Sequence, residues 1–318
     1  MMYKIIAWLI FTQVLIIWWV VFFAEDFFSS EVKNMEIRQA PWQFNFISPL
    51  LECWLDINYN NTRAIEREIY SYIENILQDS DVNHISYFAR VLNSWWTFWY
   101  DQDREYTPAS LVKLPLAMAV LKNTPFELLS ETVILWDDIE VLTRNIWVEK
   151  TQLGWTYTIK ELIENMLRYS DNIATEALFL LLWEDIINEV YRDLNLRPIS
   201  FDEMNSINIS PKQYAWFLRI LYNATYIWHQ RSEYLLRTLS RSDFDDGIAW
   251  PIPWFIRVSN KFWERSYSDS SEKQLHDCGI VYAQKSPYVL CVMTSGDNYE
   301  QLSEIIQEIS HMIYIKLL

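Results

Sequence analysis

The chain is 318 residues long, enough for one large domain or two modest ones with an ample core. Its formal net charge is −16 and no basic stripe occurs along it, which argues against a nucleic-acid partner. Three cysteines, Cys53, Cys278 and Cys291, are too few and too scattered for a zinc site or a disulfide scaffold. In chain order, residues 5–23 form an apolar run after Lys4 and before Glu25 and Asp26, long enough to span a bilayer. Phe22-Phe23-Ala24 lacks the small-residue pattern of a signal-peptide cleavage site. Residues 1–24 therefore read as an uncleaved membrane anchor, and the charges flanking the span put the rest of the chain outside the cytoplasm. Residues 25–61 read as a stalk or lead-in, and 62–318 as the working domain.

Within that domain, residues 62–78 carry apolar side chains at helical spacing. Residues 84–92 and 97–101 read as paired strands, and an apolar helix follows Ser110. Thr158 and Glu161 form a capping box that opens the next helix. Further helices are expected from about 173, over 210–221 behind Ser210-Pro211, over 232–239 and over 299–317. Strand-like runs occupy 255–258, 279–283 and 288–293. Cys278 and Cys291 border or fall in the last two runs and read as ordinary buried thiols, with a bridge from Cys53 to either as the alternative.

Tryptophan and glycine are out of proportion, at 17 and 4 residues. Glycine is about 1.3 % of the chain where about 7 % is usual, and the two types together make about 6.6 %. Several tryptophans stand where turn residues tolerant of positive φ are wanted, as at Trp95-Trp96, Trp155, Trp250 and Trp254. This is the pattern produced when UGA codons that a cell reads as glycine are translated as tryptophan. The alternative is a truly Trp-rich protein, such as a carbohydrate binder with aromatic platforms.

Ser110-Leu-Val-Lys113 is followed by Ser170-Asp171-Asn172 and then by Lys261-Phe262-Trp263. Taken singly these motifs mean little: Ser-x-x-Lys also occurs at Ser30/Lys33 and Ser270/Lys273, and Ser-Asp-Asn is a common turn sequence. Only Ser110 has a proline just ahead and a long apolar stretch behind, which mark a buried helix start. On a helix, residues three apart share a face, so the Lys113 amine is within reach of the Ser110 hydroxyl. A serine hydroxyl needs such a base to become nucleophilic. His276-Asp277 also invites a Ser-His-Asp reading, but no G-x-S-x-G elbow surrounds any serine, so a structural or rim role is expected for that pair.

The order of the motifs and of the elements resembles the serine β-lactamase and penicillin-recognising D,D-peptidase superfamily, with class A β-lactamases nearest, over about residues 62–318. The resemblance implies an α+β fold, an α/β/α sandwich with an antiparallel five-stranded sheet built from both chain ends and an all-helical middle subdomain. It implies Ser110 as nucleophile, Lys113 as base or relay, and Ser170 as proton donor to the leaving nitrogen. Asn172 would hold substrate amides, and Lys261 would attract the substrate carboxylate. Backbone N–H groups of Ser110 and Glu264 would form the oxyanion hole. The substrate would be a β-lactam or a peptidoglycan peptide, bound by a monomer with no metal or organic cofactor. Two departures stand out. Phe262 replaces a Thr or Ser hydroxyl, and the loop at 198–208 lacks the Glu-x-x-Leu-Asn motif of class A enzymes, leaving Glu203 as the candidate for activating water. A D-Ala-D-Ala carboxypeptidase or endopeptidase, or an inactive binding module closed by Trp263, are the other readings. Glycine is wanted at 263 because substrate lies along the strand there.

Overall fold

Isoleucines 65, 69 and 73 recur one turn apart and all are buried, giving helix α1 (Thr62–Asp79) one apolar stripe. In chain order the elements after it are β1 (Val82–Val91), β2 (Thr97–Tyr100), a 3-10 turn (Ala109–Val112), α2 (Lys113–Asn123), a second 3-10 turn (Phe126–Ser130), β3 (Thr132–Ile134) and β4 (Thr156–Thr158). Next come α3 (Ile159–Arg168), α4 (Asn172–Leu181), α5 (Glu184–Asp193), α6 (Pro211–Tyr222) and α7 (His229–Leu239). The chain closes with β5 (Val258–Ser266), β6 (Lys273–Val281), β7 (Tyr288–Gly296) and α8 (Tyr299–Leu317). This computed structural model describes residues 44–48, 62–135, 150–182, 184–198, 208–266 and 271–317, all within one unit, Phe44–Leu318. The expected anchor at 1–24, most of the lead-in at 25–61, Cys53 and Glu203 lie outside the described residues. Among the described residues no helix is long and apolar enough to cross a membrane.

Five strands make one antiparallel sheet in the order β2-β1-β7-β6-β5, so both ends of the domain meet at its centre. One face is covered by α1 and α8 through a core that includes Ile69, Ile85, Leu290, Ile305 and Ile309. The opposite face carries Trp263, Cys278, Ile280, Val289, Cys291 and Met293 and packs against the helical block drawn from the middle of the chain. The result is an α/β/α sandwich.

Local capping chemistry sets the helix starts. The Glu161 N–H donates to Thr158 Oγ1 at 3.1 Å and the Thr158 N–H to Glu161 Oε2 at 2.8 Å, completing the expected capping box. Ser210 and Gln213 make a second box, with Pro211 in the first turn of α6.

Several expectations need correction. The strand expected over 255–258 starts where that run ends, at Val258, and β6 begins at Lys273. Both strands carry buried polar residues, among them Asn260, Lys261, Gln274, His276 and Asp277, which mask the apolar signal. Helix α5 and the β3–β4 hairpin are additional elements. Cys278 and Cys291 are bonded to each other rather than free thiols. They stand directly opposite in the β6–β7 register, with Cα atoms 3.9 Å apart, a pairing fixed by the hairpin and invisible in a spacing of 13 residues. Positive φ falls on Asp101, Ser170, Asn195, Ala224 and Gly154, and on none of the described tryptophans. The turn at 92–96 closes instead through Ser94, whose hydroxyl accepts from the Trp96 N–H at 3.2 Å.

Candidate active site

The turn that carries Ser110 is pinned from three sides. The Leu111 N–H donates to the Pro108 carbonyl at 2.7 Å, and Tyr106 exchanges both backbone hydrogen bonds with Ile209, at 3.0 and 2.8 Å. The Tyr106 hydroxyl donates to Ser86 Oγ at 2.9 Å, tying the same segment to β1. Behind the turn, every residue of α2 from Lys113 to Leu121 is buried, so the helix has no exposed face along which to shift. The sheet edge β5 packs against the turn from the front. Ser110 itself is half-buried, in the 3-10 turn rather than in the helix proper.

Lys113 begins α2 and is only 3 % exposed. Its Nζ donates to the Ser170 carbonyl at 2.6 Å, to Ser170 Oγ at 3.1 Å and to Asn172 Oδ1 at 2.8 Å. Two motifs separated by nearly sixty residues thus meet on one ammonium. Ser170 reaches it with two oxygens because its backbone is left-handed, with φ of 56°. Such a conformation costs a non-glycine residue about 1–3 kcal/mol, so the loop around it must be firmly held. Asp171 holds it. Fully buried at the N-cap of α4, it accepts from the Ala174 N–H through Oδ1 at 2.8 Å. Its Oδ2 accepts from the Lys150 and Thr151 N–H groups at 2.6 and 2.7 Å. The middle residue of the motif is therefore the brace, and its neighbours face Lys113.

On β5, Lys261 and Trp263 lie on the face toward the helical block, and Phe262 points the other way, stacked on Phe244 at 4.1 Å. Lys261 is 0 % exposed, with its Nζ 3.2 Å from the Phe262 carbonyl and over that residue's ring. Burial pushes the Lys261 amine down to about 7, with Asp277 opposing. Trp263 is 4 % exposed and lies against His276, ring centroids 4.6 Å apart. Glu264 is exposed at the strand edge.

His276 and Asp277 do not form a relay with a serine. Adjacent on β6, they point to opposite faces, and both are fully buried, which removes the rim role expected as one option for them. Asp277 accepts from the Ile248 N–H at 2.9 Å and from Asn260 Nδ2 at 3.1 Å, and burial raises its carboxyl to about 6. Burial lowers the His276 imidazole to about 3.

A profile of the β-lactamase enzyme family matches residues 68–317. The chain belongs to the β-lactamase enzyme family. No curated protein matches it by sequence. Among solved structures, the TLA-3 extended-spectrum β-lactamase has a TM-score of 0.71 at 16 % identity, over 80 % of this chain and 99 % of that one. A class A β-lactamase representative from Bacteroides cellulosilyticus gives 0.70 at 17 %, over 80 % and 98 %. PBP-A gives 0.67 at 17 %, over 86 % and 98 %. A mutant of PBP-A, described as an acyl-enzyme complex with penicillin-G, gives 0.67 at 18 %, over 80 % and 96 %. At these identities the likeness establishes the β-lactamase/transpeptidase fold.

Of the residues singled out in the sequence, Lys113, Ser170 and Asn172 meet directly, with Ser110 on the turn that leads into Lys113 and β5 packed against that turn. Glu203 lies outside the described residues. One carboxyl was missed: Glu176, half-buried on α4 one turn beyond Asn172. Burial raises its pKa, and the charge of Lys113 opposes that rise. In the sequence it reads as a solvated acid in a helix, and only the pairing of Asn172 with Lys113 reveals its direction.

Replacing Asp171 by Ala strands buried N–H groups and removes a cap. Urea denaturation is expected to show a loss of about 2–4 kcal/mol. A loss no larger than that of an ordinary surface substitution would show that the brace is dispensable.

Proposed function

We propose that the protein is a membrane-anchored, extracytoplasmic serine hydrolase of the class A β-lactamase type, in which a β-lactam acylates Ser110 and the acyl-enzyme is then hydrolysed. The observation that carries the reading is the Lys113 ammonium bound to Ser170 and Asn172 beside the Ser110 turn. Lys113, once neutral, takes the Ser110 proton, and Oγ attacks the lactam carbonyl. The N–H groups of Ser110 and Glu264 receive the oxyanion. The proton passes from Lys113 through Ser170 Oγ to the leaving nitrogen, a path supported by their 3.1 Å hydrogen bond. Lys261 attracts the substrate carboxylate. Residues 5–23 tether the domain to the membrane.

This reading takes residue 263 as glycine. Seven of the nine described tryptophans are exposed, Trp95, Trp99, Trp155, Trp216, Trp228, Trp250 and Trp254, although tryptophan is ordinarily well buried. That distribution and the glycine deficit both fit recoded UGA codons. The buried indole of Trp263, beside Lys261 on the strand that borders the Ser110 turn, would leave a substrate no room.

A second reading, a D,D-peptidase for wall peptides, is favoured by the missing Glu-x-x-Leu-Asn loop. Slow release of the acyl group would follow from it. A binding module is favoured if Phe262 and a real tryptophan at 263 together close the site.

Peptide mass spectrometry of native protein across residues 258–265 is expected to read glycine at 263; tryptophan there would remove the enzyme reading. Protein with glycine at 263 should then take a fluorescent penicillin on Ser110, and Ser110→Ala should abolish the label. Turnover of a chromogenic cephalosporin separates a β-lactamase from a peptidase. The second-order acylation rate should also fall as rising pH strips the charge from Lys261, at a pH below that of an ordinary lysine because burial lowers its pKa. Lys261→Arg should remove that limb of the profile, and an unchanged profile in the variant would assign it to another group.

A further inference from the structure

We infer that Glu176 is the carboxylate that activates water to release the acyl group from Ser110. The inference rests on the reading of Ser110 as an acylated nucleophile and goes beyond it, since no family motif points to this position. Helix α4 begins at Asn172, whose Oδ1 accepts from Lys113 Nζ at 2.8 Å. Residues four apart on a helix lie on one face, so Glu176 stands directly behind Asn172 on the side that meets Lys113. Helices α2 and α4 are packed against each other, which keeps that face close to the start of α2. The Glu176 side chain is half-buried, and among the described residues its carboxyl makes no hydrogen bond.

The neighbouring acid cannot serve. Asp171 is fully buried with its carboxylate given over to three backbone N–H groups. Among the described residues, Glu176 is thus an acid near the acylating residues whose carboxyl accepts no hydrogen bond. Burial favours its protonated form and Lys113 favours its ionised form, a balance suited to a group that must accept a proton and return it.

Water adds through its oxygen to the acyl carbon while its proton goes to Glu176, giving a tetrahedral oxyanion. That intermediate collapses, the bond from carbon to Ser110 Oγ breaks, and Oγ takes the proton held by Glu176, relayed through the Lys113 amine that acylation left neutral. The product leaves as a carboxylic acid, with Glu176 again a carboxylate and Lys113 again an amine.

The test uses full-length protein with glycine at 263, labelled with a fluorescent penicillin and chased with unlabelled drug, alongside Glu176→Gln, Glu176→Asp and Glu203→Gln. In Glu176→Gln, labelling should proceed near the parent rate while release slows by about 100-fold or more. Mass spectrometry should find the adduct on Ser110, and Glu176→Asp should recover part of the release rate. A labelled parent whose Glu176→Gln variant releases at the parent rate overturns the assignment and leaves the nucleophile standing. Slow release confined to Glu203→Gln overturns it as well. A folded Glu176→Gln variant that never takes label puts Glu176 in acylation and also overturns it. A parent that takes no label removes both readings.

Discussion

A positive charge held almost out of water organises this domain. An ammonium at the depth of Lys113 is tolerated only when its protons are satisfied, and the acceptors come from Ser170 and Asn172, at the opening of another helix. The start of α2 is thereby locked to the start of α4. That lock determines where Ser110 stands, because its turn runs directly into Lys113. The left-handed Ser170 and the buried Asp171 follow from the same requirement, since two oxygens must converge on one nitrogen and the loop supplying them must not relax.

The sheet serves the site through its edge. β5 is the outermost strand on its side and has β6 as its sheet neighbour, so its other edge is the one turned to the Ser110 turn. A strand edge beside the Ser110 turn suits a ligand that adds as a further strand, the binding mode the proposed function needs. Lys261 sits on this edge strand with its charge close to being lost, so small changes in what surrounds it change whether it attracts anions. Residue 263 is such a neighbour. An indole and a hydrogen atom at that position make two different proteins from otherwise identical strands.

Much of this was legible because the determinants are local. Thr158 with Glu161, Ser210 with Gln213, and Asp171 ahead of Asn172 announce helix starts through hydrogen bonds spanning three residues. The Ser110–Lys113 spacing and the order of the motifs were readable for the same reason. β5 is expected too early and β6 too late because their polar residues are buried and partnered, which inverts the usual alternation. The Cys278–Cys291 pairing depends on a hairpin register, and Glu176 depends on which face of α4 turns inward. Neither is written in neighbouring residues.

Tyr106 and Ile209 exchange two backbone hydrogen bonds, so the segment leading to Ser110 and the segment leading into α6 move as one piece. A change in how Ile209 enters α6 is therefore felt at the turn that carries Ser110. Under the proposed function, that coupling is a route to new substrate preferences in which the aim of the serine shifts while Lys113, Ser170 and Asn172 stay as they are.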